Sequence, residues 1–185
     1  MRMGMPHKQW RYVLPTMAAL VLGVVGVLGY RAYSTPTPQL LRLADGTEVF
    51  YLSDTVVRPS SFYPAPRELK IDGEAFVRAA DGVRPLTIRT RLMVLKVTGD
   101  SAVRVTARSH ETGEEADVLA GQVVATKAYS SRQNEPDTLS AGEEVMVNET
   151  IDLQEKETAD VPGLRSWSEA LVAAVQAKGS RQAAP

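Results

Sequence analysis

Residues 67–91 read RELKIDGEAFVRAADGVRPLTIRTR. Glu68–Ile71, Glu74–Arg78 and Leu86–Arg91 are short segments rich in residues that favour strands, and the last alternates apolar and polar side chains. Asp72-Gly73 and Asp81-Gly82 punctuate them, and Asp-Gly suits a turn that needs positive φ. The same rhythm runs outward in both directions. Leu40–Leu43, Thr47–Leu52 and Val56–Val57 precede it, with Asp45-Gly46 between the first two. Met93–Val97, Val103–Ala107, Asp117–Leu119, Gln122–Ala128 and Glu144–Asn148 follow, divided by Gly99-Asp100, Thr112-Gly113, Gly121 and Gly142. Many short strands with such frequent turns predict an all-β domain, either a twisted sandwich or barrel or a solenoid-like sheet. No exact internal repeat supports a true solenoid.

Two segments break the rhythm. Tyr12 to Tyr30 reads YVLPTMAALVLGVVGVLGY, 19 residues without a charge. As a helix it would extend about 28 Å, close to the hydrocarbon thickness of a bilayer. Arg2, Lys8 and Arg11 precede it and only Arg31 follows closely. The positive-inside rule then places the N-terminus in the cytoplasm and residues 32–185 outside it. A cleaved signal peptide is the competing reading, but its apolar core is usually shorter, about 7–15 residues. At the other end, Pro162–Ala177 carries Leu164, Trp167, Leu171 and Val175 near one face of a helix, with Asp160 and Lys178 suited to its two ends. This helix is either a lid over the sheet or a docking face for a partner, with Trp167 and Leu171 as the candidate contact residues.

The expected organisation is a cytoplasmic tail over 1–11, a transmembrane helix over 12–30, a linker over 31–40, an all-β domain over 41–150, and a C-terminal segment over 151–185 with a helix at about 162–177. Composition narrows the function. There is no cysteine, which removes disulfides, thiolate metal sites and thiol nucleophiles. Four of the 21 basic residues lie in residues 1–34, leaving 17 against 22 acidic ones beyond, a net of −5. That balance argues against a nucleic-acid partner. His110 stands alone in a polar turn, and no nucleophile, zinc or phosphate-loop motif is present, so neither catalysis nor a cofactor is expected. The acidic residues Glu111, Glu114, Glu115 and Asp117 lack the glycine-centred register of a calcium loop and read as a solvated face, not a metal site.

Several of these segments, in order, resemble the FecR domain. Leu43-Ala44-Asp45-Gly46-Thr47-Glu48-Val49 followed by Leu52-Ser53-Asp54-Thr55 is similar to its opening. Arg67 to Val77 resembles its "RxVxLxGEAFF" strand pair, and Ala79 to Thr90 the segment after it. Leu119 to Val124 and Leu139 to Glu143 resemble later elements, so the match runs from about 41 to 148. Val97 to Val103 departs from the family's "VLGTxFxV". The resemblance implies a non-enzymatic regulator in the bacterial inner membrane. Its periplasmic domain would receive a signal from a TonB-dependent receptor, and its output would be an extracytoplasmic-function sigma factor, often for iron uptake. Such proteins commonly use a long helical cytoplasmic segment for that output; here 11 residues precede the apolar stretch. The layout also resembles LptC, a membrane-anchored lipid-handling protein. An open apolar slot inside the domain would favour that alternative, and a filled core would favour the first reading.

Overall fold

The computed structural model of this chain describes residues 36–60, 67–82 and 84–182. The expected tail, transmembrane helix and first half of the linker (31–35) lie outside those residues. Among the described residues no helix is long and apolar enough to cross a membrane.

Ten strands and one helix are described. They are β1 (Pro38–Arg42), β2 (Glu48–Leu52), β3 (Val56–Pro59), β4 (Glu68–Ala79), β5 (Leu86–Arg89), β6 (Met93–Ala107), β7 (Gly113–Lys127), β8 (Asp137–Ser140), β9 (Glu143–Asn148), β10 (Leu153–Thr158) and α1 (Val161–Gln182). All ten strands join one mixed sheet, in the path β1-β2-β4-β5-β6-β7-β9-β10, with β3 added to β4 and β8 to β7. The β4–β5 pair is parallel and the other pairs are antiparallel.

The three long strands, β4, β6 and β7, each serve two sets of neighbours. One half of β4 pairs with β2 and β6; its other half pairs with β3 and β5. One half of β7 meets β9 and the other meets β8. The sheet therefore has two arms linked by continuous strands. One buried cluster draws on both, including Val49, Val77, Val103, Val118 and Val145 from one arm and Leu69, Leu86, Ile88, Leu95 and Leu139 from the other, all at 0 % exposure. The sheet thus closes over its own core.

The predicted turns at Asp72-Gly73, Gly99-Asp100 and Gly121 are not chain reversals: they lie inside β4, β6 and β7. The glycines still need positive φ, +124° at Gly73 and +81° at Gly121, but they bend a strand instead of ending it. Close approach also requires them. A Cβ on Gly73 would lie 2.6 Å from Thr55 Oγ1, and one on Gly121 would overlap the Ser101 side chain. At the β7 bend the register slips, with Ala120 opposite Ala102 but Val118 opposite Val103. The inward parity changes there from Ala116 and Val118 to Val123 and Ala125. The strands β8 and β10 escape a reading by apolar pattern because only Leu139 is buried in β8 and β10 is a polar edge. The sheet consequently continues to Thr158, past the expected limit at 150, and the helix continues to Gln182, past 177.

Two polar clusters tie loops to this frame. The Arg67 guanidinium donates to Asp45 Oδ2, Thr47 Oγ1 and the carbonyls of Ala80 and Arg84, joining the β1–β2 turn to the loop before β5. At the far end of β7, the Lys127 side chain is only 1 % exposed. Its Nζ donates to Asp152 Oδ1 at 2.8 Å, the Asp152 carbonyl at 2.7 Å and Ser131 Oγ at 3.0 Å. Hydrogen bonds from Lys127 and then Ser131 hold the Asp152 carboxyl down at about 2, below the ordinary 3.8.

Replacing Gly73 by Ala is expected to lower stability by about 2–4 kcal/mol, from backbone strain and from the clash with Thr55 together. Urea denaturation followed by circular dichroism measures it; an unchanged midpoint would remove Gly73 as the hinge of β4. The Asp152 lock should show as a pH dependence. Its folded value is depressed from 3.8 to about 2, so its contribution is complete above pH ~4 and is lost as pH falls towards ~2. Asp152→Asn should melt several degrees below wild type at pH 7, with the gap closing under acid. A gap that does not change with pH would assign the loss to packing instead.

Candidate functional site: the seam between helix and sheet

The helix lies on the outer face of the arm that contains β1, β2 and β7, with Asp160 at its start accepting from the Gly163 N–H at 3.2 Å. Residues at helical spacing, Leu164, Trp167, Ser168, Leu171, Val172 and Val175, supply the inward stripe. Beneath them are Phe50 and Phe76, directly opposite each other on β2 and β4. These two aromatics point away from the main core, so this part of the sheet is buried on both faces. The Phe76 and Trp167 rings meet edge to face at 6.4 Å. Lys178 Nζ reaches the Pro38 carbonyl at 3.3 Å and ties the far end of the helix to β1.

Register carries the row of Phe50 and Phe76 onward across the sheet. Phe76 faces Arg104, Arg104 faces Asp117, Asp117 faces Glu144, and Glu144 faces Glu157. The row changes from aromatic to cationic to acidic where the helix gives way to open sheet. Arg104 is its junction. It donates from Nε at 2.9 Å and from a terminal nitrogen at 2.7 Å to Glu74 Oε1. Its guanidinium lies 4.8 Å from the Trp167 ring centre, and its other terminal nitrogen is 3.9 Å from Asp117 Oδ2. Arg108 holds the second Glu74 oxygen at 3.2 Å.

The Asp117 side chain is only 5 % exposed. Burial first, and then the neighbouring Glu115 charge, push its carboxyl up to about 7, against the pull of Arg104. Burial and Glu115 also raise Glu144. Glu114, from the same acidic run, serves a different purpose. It is buried and accepts from the Leu92 N–H at 2.9 Å and from the Thr90 hydroxyl, anchoring the start of β6.

The two residues singled out in the sequence meet here in unequal roles. Leu171, 8 % exposed, is packed against Phe50 and Phe76, while Trp167 is half-buried and keeps an open edge. Arg104, Asp117 and Glu144 were not anticipated as a group. Asp117 stood out within its acidic run, but Glu144 lies 27 positions later and only strand pairing brings it alongside. His110 is exposed in the β6–β7 turn, 3.9 Å from Glu111, and joins none of these residues.

No protein-family model matches this chain, and no curated protein matches it. Solved structures do. Two crystal structures of a putative anti-sigma factor from Parabacteroides distasonis ATCC 8503, at 1.65 and 2.50 Å resolution, superpose with a TM-score of 0.61 and 26% identity. The likeness is to an anti-sigma regulator. It covers 70% of this chain and 59% of that protein, so this chain spans about three-fifths of the neighbour's length.

Leu171→Ala is expected to cost about 2–4 kcal/mol, because it empties a buried site packed against Phe50 and Phe76. Trp167→Ala should cost less, since part of the indole is already in water. Thermal melts of both variants decide it; equal losses would mean that the two residues do not divide between packing and surface.

Proposed function

We propose that this chain is a membrane-anchored, FecR-like regulator whose folded domain lies in the bacterial periplasm. In this reading it receives a protein partner, such as a TonB-dependent receptor, and passes the signal towards an extracytoplasmic-function sigma factor. The observation that carries the proposal is the likeness to an anti-sigma factor at 26% identity over 70% of the chain. The residues that resemble the FecR domain add support through their positions. Arg67, Asp45, Thr47 and Arg84, drawn from three separate motifs, converge in one hydrogen-bonded cluster. The reading is of a binding protein, not an enzyme, with Trp167 at the open edge of the helix as the contact offered to the partner and Leu171 holding that helix in place from below.

The lipid-handling alternative requires an apolar slot between the two arms of the sheet. That space is filled by Leu69, Leu86, Ile88, Leu92, Met93, Leu95 and Leu139, each at 0–1 % exposure. The filled core supports the regulatory reading.

A photo-reactive amino acid at Trp167 of the tagged, full-length protein tests the proposal in living cells. Cross-linked products are identified by mass spectrometry. An outer-membrane receptor is the expected product, with a sigma factor recovered on the same purified protein. Recovery of lipopolysaccharide-transport proteins in their place, or repeated absence of any receptor, would overturn it.

A further inference from the structure

Asp117, Glu144 and Glu157 stand directly opposite one another on β7, β9 and β10. Like charges in directly opposed cross-strand positions destabilise a sheet, and here two such pairs follow in succession. Glu115 adds a fourth carboxylate two residues along β7 on the same face. Around this group, β4 contributes Glu74, β6 contributes Arg104, and the helix contributes Trp167. Arg104 is already held by two hydrogen bonds to Glu74 and reaches Asp117 only at 3.9 Å. Asp117 Oδ2 is buried and has no hydrogen-bond partner among the described residues. A buried carboxylate oxygen without a hydrogen-bond partner, on a side chain that stands among other carboxylates, is a costly arrangement unless something else satisfies it.

The ligand set indicates what could. Glu115, Asp117 and Glu144 each offer one carboxylate oxygen within 4.8 Å of the others. Calcium takes about six to eight oxygen ligands in flexible geometry, which suits carboxylates brought together by strand pairing. Magnesium demands near-octahedral order and is usually held by only one or two carboxylates. We propose that Glu115, Asp117 and Glu144 hold a calcium ion on the outer face of the sheet, beside the seam between Arg104 and Trp167. Three protein carboxylates with water completing the shell make a weak site, in the range of about 10⁻⁴–10⁻³ M seen in extracellular modules. The ion relieves the repulsion between β7 and β9, so binding stabilises the folded state.

The test uses full-length protein in detergent, stripped of metal with a chelator and titrated with calcium chloride in a calorimeter. Melting temperature is followed in parallel. Saturable binding is expected below about 1 mM, with a melting temperature that rises with calcium. Glu144→Gln and Glu115→Gln keep the shape of the side chains and should weaken binding at least tenfold. Glu157→Gln lies in the same row but outside the three ligands and should change affinity by less than about threefold. Absence of saturable binding up to about 10 mM, unchanged affinity in Glu144→Gln, or an equal response to magnesium chloride would each overturn the assignment.

Discussion

The structure depends on three strands that bend without ending. A single sheet cannot cover both sides of its own core unless its longest members turn through it, and β4, β6 and β7 do so at glycines. At two of these bends the chain passes so close to a neighbour, Thr55 under Gly73 and Ser101 under Gly121, that a methyl group does not fit. Backbone conformation and steric contact therefore impose the same choice of residue. The extra residue in β7 then changes which side chains face inward, so both halves of that strand deliver valine and alanine to one core.

The second layer follows from the first. With its main core filled from within, the sheet still presents Phe50 and Phe76 on its outer face, and a helix covers them. That helix ends its cover beside Trp167, where the row of opposed residues turns from aromatic to charged. Arg104 belongs to both regions. It shares its charge with Glu74 and Asp117 and holds its guanidinium 4.8 Å from the indole ring centre. Through Arg104 the edge of Trp167 adjoins the most strongly perturbed carboxyl described, that of Asp117.

Several features were legible without coordinates. Apolar and strand-favouring residues located eight of the ten strands, although six of the predicted segments proved to be halves of three longer strands. The cause is physical. Positive φ at a glycine serves a turn and a bend equally well, and only the neighbouring chain shows which it is. The helix was legible from its 3.6-residue stripe and from Asp160. The strands β8 and β10 were not, because an edge strand with one buried residue or none carries no apolar period. Among the residues of the seam, Trp167 and Leu171 were visible because large apolar side chains stand out on a helix. Glu144 was not, because nothing in the local sequence Glu143-Glu144-Val145 records that it faces Asp117 across the sheet.

The sequence by itself determined the strand-rich class, the glycines that take positive φ and the amphipathic helix that follows the strands. These are properties of local conformational preference and of pattern along one segment. Only the tertiary structure decided that the sheet closes on a filled core, that Leu171 packs inward while Trp167 keeps an open edge, and that Asp117 and Glu144 share one face. Each of these depends on register between strands far apart in the chain. Register is set by the combined burial of many side chains at once, and no short stretch of sequence records it.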